Sequence, residues 1–234
     1  MNDAIHEETY KGFKIQIVPD LDPMNPRIEF DNVGTMICFH KRYNLGDKHE
    51  YRHEDYAGWD ELCDQLRQDF GKNPLILPLY LYDHSGITIS TSPFSCPWDS
   101  GQVGFIVCSL KKAKEEWGMK GSLRNGWDSI ATPVMIPLSN RYLRRTLREA
   151  ATQYLEGEVK EYDQYLRGEV YGYRVTDPEG EETDSCWGYY GDYKYPLDEA
   201  RSIIDWYIKN ENKKKQERKK VEIRHRVPLE KRTK

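Results

Sequence analysis

The chain has 234 residues, enough to bury a hydrophobic core as one large domain or as a domain with appendages. The hydrophobic fraction, 38%, is low, the charged fraction, 32%, is high, and no apolar run approaches the length of a membrane span, which argues against a membrane protein. The polar, acidic start Met1-Asn2-Asp3 lacks the basic and apolar regions of a signal peptide. We therefore expect a cytoplasmic protein with no membrane partner.

The cysteine pattern agrees with a reducing compartment. The chain has five Cys, an odd number, with wide spacings and no C-x-x-C pair. This argues against a disulfide framework and against a Cys-rich zinc site. The chain also has 17 Tyr. Tyr-rich surfaces serve recognition, but Tyr also fills half-exposed strands, which we expect for most of these residues.

Charge is divided unevenly along the chain. Residues 209–234 carry 12 Lys+Arg against 4 Asp+Glu, a balance of +8, so that the remainder of this chain of net charge -4 carries -12. This asymmetry predicts a single α+β domain over 1–208 and a basic helical extension or disordered tail over 209–234. A basic tail could contact nucleic acid through 213–234, but such a run is more often a solvated helix end followed by disorder.

In the first half of the chain, alternation predicts a strand over Phe13–Ile17. A loop rich in Asp and Pro follows over Pro19–Pro26, and we expect a strand pair, Arg27–Phe30 and Gly34–His40, around the turn Asp31-Asn32. The apolar face of residues 56–70 predicts a helix that ends at Gly71.

The second half is predicted to begin with strands at 75–82, 87–90 and 103–108 and a helix capped by Ser109. Residues 119–137 are interpreted as a long loop, and residues 139–167 as one long helix or two abutting helices. A hairpin over 170–190 turns at Pro178-Glu179-Gly180, and a last helix begins near Pro196. This order predicts an α+β fold, a mostly antiparallel sheet with about four helices packed on it.

Three short stretches place an Asp beside a His or Ser, with Gly and aromatic residues close by. They are Tyr82–Gly86, Pro97–Gln102 and Asp184–Gly191. Glycine permits tight turns, so carboxylates, hydroxyls and rings would be crowded into a small space. The binding residues predicted from them are Asp83, His84, Trp98, Asp99, Ser100, Asp184 and Trp187.

The same acids support a second interpretation. Carboxylates gathered at strand ends can hold a divalent metal or form an acid/base pair, and the set extends to Glu29, Asp31 and Asp163. Asp residues in tight turns also cap their own backbone without any chemistry, so site and scaffold stay open as alternatives. Ser85, Ser100, Cys96 and Cys186 lack the G-x-S-x-G pattern of a nucleophile elbow.

A separate candidate metal site is His49-Glu50-Tyr51-Arg52-His53, which matches H-E-x-x-H. On a helix the two His would face one side and hold zinc, and Glu50 would activate the bound water. The turn at Asn44–Asp47 and the lack of an apolar stripe over 48–55 favour instead a polar loop that leads into the next helix.

Several longer strings resemble an uncharacterised protein family encoded by bacteriophages and mobile elements. They are residues 25–27 with 31–36, Tyr43–Asp47, Leu79–Gly86, Pro97–Phe105, Gly157–Tyr173 and Asp184–Gly188. The family has no established activity, so the resemblance implies a context: a viral protein in the cytoplasm of a host cell. Many proteins of this kind evade host defences by binding a host macromolecule.

The leading hypothesis is therefore a phage-type accessory protein that binds a host protein through an acidic, Tyr-rich surface. Its negative charge would attract a basic partner. The alternative is a metal-dependent hydrolase that uses the clustered Asp and His residues. The sequence leaves open whether there is any catalysis and names no cofactor beyond that divalent metal.

Overall fold

The computed structural model describes residues 4–116 and 140–226. Within these ranges the elements in chain order are β1 (His6–Tyr10), β2 (Phe13–Pro19), α1 (Pro26–Glu29), β3 (Thr35–Cys38), α2 (Trp59–Asp69), β4 (Leu75–Asp83), β5 (Ile87–Ser90), β6 (Ser100–Cys108), α3 (Leu110–Glu116), α4 (Asn140–Leu166), β7 (Val170–Thr176), β8 (Glu182–Tyr190) and α5 (Lys194–Arg226). The predicted α+β fold is confirmed, with the described strands divided between two antiparallel sheets.

The chain forms two compact units. Residues 24–167 make the inserted unit, and residues 1–23 together with 168–234 make the terminal unit. The single domain predicted over 1–208 stays a prediction, because compactness alone does not decide whether two units unfold together.

The terminal unit is an antiparallel sheet in the order β1-β2-β7-β8, with α5 packed on it. Alternation along β2 puts Ile15 and Ile17 on the same face, where they meet Val175 of β7 and Ile204 of α5. Beyond this core, α5 continues through the basic residues of the predicted extension to Arg226, and every side chain described from Glu211 onward is exposed.

The inserted unit has three layers: α4, an antiparallel sheet in the order β3-β6-β4-β5, and α2. The period of two along β6 sends Ile106 toward Leu155 of α4 and Phe105 toward Leu66 of α2. Because both faces of the sheet are covered, β6 is buried almost continuously from Val103 to Cys108.

Several predicted elements are confirmed with shifted ends. The long helix is the single helix α4, Ser109 Oγ accepts the backbone N–H of Lys112 as predicted for a cap (3.1 Å), and the hairpin is β7–β8. The predicted loop 119–137 lies outside the described residues.

One predicted strand is wrong. Residues 27–30 do not extend; Pro26–Glu29 is the short helix α1. Proline suits the first helical position, and the side chain of Asn25 caps the helix by accepting the backbone N–H of Arg27 at 2.9 Å. Within the described residues, no helix combines the length and apolar character that a membrane crossing requires.

Candidate binding site on the inserted unit

Two of the three predicted Asp-bearing stretches meet at one end of the inserted sheet. Asp83 ends β4, and Ser85 and Gly86 turn the chain into β5 with positive φ values of 58° and 152°. The backbone N–H of Asp83 donates to the carbonyl of Asp99 at 2.8 Å, which joins this turn to the loop before β6. We call this group the turn cluster; its residues are Arg42, Tyr43, Tyr82, Asp83, His84, Phe94, Cys96, Trp98, Asp99 and Ser100.

The Asp83 carboxylate is already occupied. It pairs with the Arg42 guanidinium and lies 3.5 Å from the Tyr43 hydroxyl, and only 18% of its side chain is exposed. The Arg42 guanidinium also lies over the Tyr43 ring, 5.4 Å from its centroid. The His40 imidazole stacks on the same ring, with centroids 4.9 Å apart. A carboxylate neutralised in this way is a poor candidate for a metal ligand.

Asp99 contacts the imidazole and the thiol of the cluster. Its Oδ2 atom lies 3.4 Å from Nδ1 of His84 and 3.7 Å from Sγ of Cys96. The Ser100 hydroxyl donates to the carbonyl of Cys96. The carboxylate thus stands between thiol and imidazole, whereas a nucleophilic triad needs the imidazole next to the nucleophile. This sequence of contacts, imidazole to carboxylate to thiol, holds the loop together and differs from the order of such a triad.

Trp98 is the large apolar residue that the cluster leaves in solvent. The residue is 91% exposed. Elsewhere in the cluster, the Tyr82 ring contacts His84, with centroids 6.1 Å apart, and Phe94, with centroids 5.7 Å apart. The cluster therefore presents rings, one cationic group and carboxylates on an ordered loop, which suits recognition.

The third predicted stretch belongs to the terminal unit. Asp184 accepts a hydrogen bond from the Tyr173 hydroxyl at 2.6 Å. Burial and this hydrogen bond both raise the pKa of Tyr173. Trp187 lies across Gly172, where a Cβ would approach the indole to 2.3 Å, and the Arg174 guanidinium lies 5.3 Å from the ring. Both predicted residues are thus used within their own β7–β8 pair.

The other carboxylates of the predicted set lie apart from the turn cluster or have structural partners of their own. Asp163 Oδ1 accepts the backbone N–H of Ile89 at 2.8 Å, and Arg167 lies 3.6 Å from its other oxygen. Glu29 lies on α1. Among the described residues, no three His, Cys, Asp or Glu side chains are grouped so that they could hold a metal ion.

The H-E-x-x-H stretch does not form the helix that a zinc motif requires. Residues 49–52 have no helical structure, and His53 begins a single 3-10 turn. Nε2 of His49 lies 3.1 Å from the carbonyl of Cys38, and the Phe39 ring contacts His49 and His53 edge-on. Glu50 therefore lies on a polar connection between β3 and α2. This is the polar loop that the neighbouring sequence favours over a zinc-binding helix.

Sequence reasoning missed a buried ion network. The Arg27 side chain is fully buried and pairs with Asp47 at 2.5 Å and with Glu158 at 2.8 Å. Burial lowers the pKa of Arg27, but the two carboxylates outweigh that effect and hold it above its ordinary value. Glu158 Oε1 also accepts the backbone N–H of Val33 at 2.7 Å. No short motif signals this network, since its members lie up to 131 residues apart.

Comparisons with known proteins do not identify this site: no protein-family model, no curated protein and no solved structure matches the chain. The functional conclusion therefore depends on the residues of the site and on their contacts.

Proposed function

We propose that the protein acts by binding a host protein through the turn cluster, with Trp98 as the central anchor. The exposure of Trp98 is the observation that carries this proposal: the residue is 91% exposed on a loop that ordered contacts hold in place. An indole left in water contributes nothing to folding, while Trp is among the residues most enriched at the energetic centre of protein interfaces.

The loop that bears Trp98 is supported on both sides. The Asp83–Asp99 backbone hydrogen bond fixes its end, and the Ser100 hydroxyl bonds back to the carbonyl of Cys96. An anchor that is already positioned loses little conformational entropy when it is buried by a partner. Arg42 and His84, exposed polar side chains of the same cluster, supply the polar rim that such an interface needs.

The charge of the chain supports a basic partner. Outside residues 209–234 the balance is -12, and charge of one sign raises the association rate with surfaces of the opposite sign. The resemblance to a family carried by bacteriophages and mobile elements supports a partner in the cytoplasm of a bacterial host, and evasion of a host defence as the purpose. A contact of residues 213–234 with nucleic acid remains a separate prediction.

Trp98→Ala tests the proposal. We expect the variant to lose at least about 2 kcal/mol of binding energy, about a 30-fold rise in Kd, with the free energy of unfolding unchanged within about 0.5 kcal/mol because the side chain is exposed. The partner is captured from a bacterial host lysate with the full chain as bait, identified by mass spectrometry, purified, and titrated against native protein and variant by calorimetry.

Trp206→Ala is the matched control. Trp206 is also an exposed indole, at 57%, but it lies on α5 of the terminal unit. Capture of the partner should be equal for Trp206→Ala and native protein. Equal affinity for Trp98→Ala would contradict the proposal, as would a lysate from which native protein recovers no stoichiometric partner.

A further inference from the structure

A second feature of the inserted unit takes no part in the turn cluster. At the start of α2 a small cavity of about 110 Å³ opens to solvent, and its walls are mostly aromatic. A volume of this size holds roughly three or four water molecules, at about 30 Å³ each, or one compact chemical group. The lining residues are Phe39, His53, Tyr56, Ala57, Gly58, Trp59 and Leu62.

Three of the rings meet as walls of the cavity. The imidazole of His53 stands nearly perpendicular to Phe39 (77°, centroids 5.7 Å apart) and to Trp59 (83°, 6.1 Å apart). Trp59 in turn packs edge-on against Phe105, 6.0 Å away in the core. Several aromatic rings around one small volume are the arrangement that binds alkylated ammonium groups.

The chain segment that supplies most of the cavity lining is acidic. Residues 48–69 carry seven Asp+Glu against three Lys+Arg, a balance of -4. Burial raises the pKa of Tyr56, and the charges of Asp55, Asp69 and Glu61 raise it further, so the field of these carboxylates reaches the phenol that lines the cavity. An anionic ligand would be repelled here, and a cation would be attracted.

The positive end of the α2 dipole also faces this region and opposes a cation. Two acids in the first turn, Asp60 and Glu61, offset it. Glu61 does so directly, because its carboxylate accepts the backbone N–H of Ala57 at 2.6 Å, just before the helix begins.

From these observations we propose that the cavity binds an alkylated ammonium group, presented as a methylated lysine side chain by a basic protein. Aromatic walls favour a cation whose charge is spread over methyl groups, since such a cation loses little hydration when it is enclosed. The acidic surface around the cavity complements the basic residues that would flank such a side chain. This binding site is independent of the turn cluster and of the function proposed for it.

The experiment compares two isosteric peptides. One short basic peptide carries trimethyllysine, and its partner carries the neutral tert-butyl analogue at the same position. Both are titrated against the full chain by calorimetry. We expect the charged peptide to bind about tenfold tighter or more, because the two side chains have the same shape and only one has a charge for the rings and carboxylates. Equal affinities, or no saturable binding of either peptide, would overturn the proposal.

Variants assign the binding to the cavity. Tyr56→Leu removes one ring and Glu61→Gln removes one charge while an amide oxygen can still accept from Ala57; we expect each to weaken binding of the trimethyllysine peptide severalfold. Trp98→Ala, in the turn cluster, should leave it unchanged, which separates this proposal from the first. Thermal melting of each variant verifies that it is folded, and undiminished binding by a folded Tyr56→Leu would overturn the assignment.

Tetramethylammonium chloride as a separate ligand distinguishes the two sources of such a cation. We expect it to bind more weakly than the trimethyllysine peptide, because it lacks the flanking basic residues. A salt that binds more tightly than the peptide would instead indicate a small-molecule ligand and overturn the protein partner. Competition between salt and peptide for one site is the expected result when both are present.

Discussion

At the scale of single residues, one guanidinium connects three separate segments of the inserted unit. Arg27 is the second residue of α1, Asp47 lies in the connection after β3, and Glu158 lies on α4. The Arg27 side chain also donates to the carbonyl of Gly34 at 2.8 Å. Because every partner is charged or a backbone group, the loss of any one of them leaves a buried charge or dipole unpaired.

Glu158→Ala is therefore expected to be strongly destabilising. Removal of this carboxylate leaves the Arg27 charge partly uncompensated and the backbone N–H groups of Val33 and Gly34 without their acceptor. We expect the free energy of unfolding to fall by about 3–5 kcal/mol, measured by urea denaturation. The control is Glu156→Ala, which removes an exposed acid from the same helix and should change stability by less than about 0.5 kcal/mol.

A triple variant that removes all three charges tests the buried charge itself. Arg27→Met, Asp47→Asn and Glu158→Gln leave no ion unpaired. The amide oxygens can still accept from the backbone N–H groups of Val33 and Met36. Replacing a whole buried ion network is often less costly than removing one partner. We expect it to be more stable than Glu158→Ala. A Glu158→Ala variant as stable as Glu156→Ala would contradict the conclusion that this ion network stabilises the fold.

The candidate site was partly predictable from residue types. The Asp-Gly-aromatic pattern indicated that Asp83, His84 and Asp99 lie in tight turns, and the structure brings these turns together. The pattern gave no sign of Arg42, because an ion pair between residues 41 positions apart depends on which strands are neighbours. The pattern also gave no sign that Asp184 lies apart from Asp83 and Asp99, because its partner Tyr173 is set by the β7–β8 register.

At the scale of elements, β3 and β6 approach each other unusually closely. Gly104 is paired with Cys38, and a Cβ added to it would come within 1.9 Å of the carbonyl oxygen of Ile37. The obstacle is backbone, which cannot turn aside as a flexible side chain can. Gly104 therefore allows the central strand of this sheet to pair with its edge neighbour.

Gly104→Ala should separate the two strands. We expect a loss of about 1–3 kcal/mol or more in the free energy of unfolding, the range found when atoms are forced into a packed core, measured by urea denaturation. Gly101→Ala, on the same strand with no atom within 4 Å of the added Cβ, is the control and should be neutral within about 0.5 kcal/mol. Equal stabilities for the two variants would show that the strands accommodate a side chain.

Element types were predictable where hydrophobic periodicity was strong. The apolar runs that became β4 and β6, and the helical face of α4, identified their elements correctly. Hydrophobic periodicity carries no signal where polar residues form regular structure. β1 (His6–Tyr10) is mostly polar and is held as a strand by pairing with β2, a long-range effect that no local pattern contains. The short helix α1 was mistaken for a strand because a local cap decided its conformation.

At the scale of the whole molecule, the inserted unit interrupts a single antiparallel strand pair. β2 and β7 pair up to Pro19 and Tyr171, and the backbone N–H of Asp20 donates to the carbonyl of Val170 at 2.8 Å. The chain therefore leaves and re-enters the terminal unit at adjacent points, as in domains that accept an insertion. Each unit also has its own hydrophobic core, centred on Ile17 in the terminal unit and on Ile106 in the inserted unit.

Removal of the inserted unit should accordingly leave a foldable protein. Joining Pro23 directly to Gly168 places five residues, 21–23 and 168–169, between Asp20 and Val170, a length within the usual range of β-hairpin loops. We expect the shortened chain to form the β1-β2-β7-β8 sheet with α5 and to unfold cooperatively on heating, measured by circular dichroism. Residues 24–167 expressed alone should likewise unfold cooperatively on heating.

The two fragments decide between two cooperative units and the single domain over 1–208 that the sequence predicts. If each fragment melts with its own sharp transition, the core of each unit is sufficient, and the full chain is two domains. If neither fragment shows a transition while the full chain does, the units stabilise each other and fold as one. The second outcome would contradict the expectation drawn from the adjacent ends of β2 and β7. The terminal unit would then need the inserted unit in order to fold, although the two strand ends lie close together.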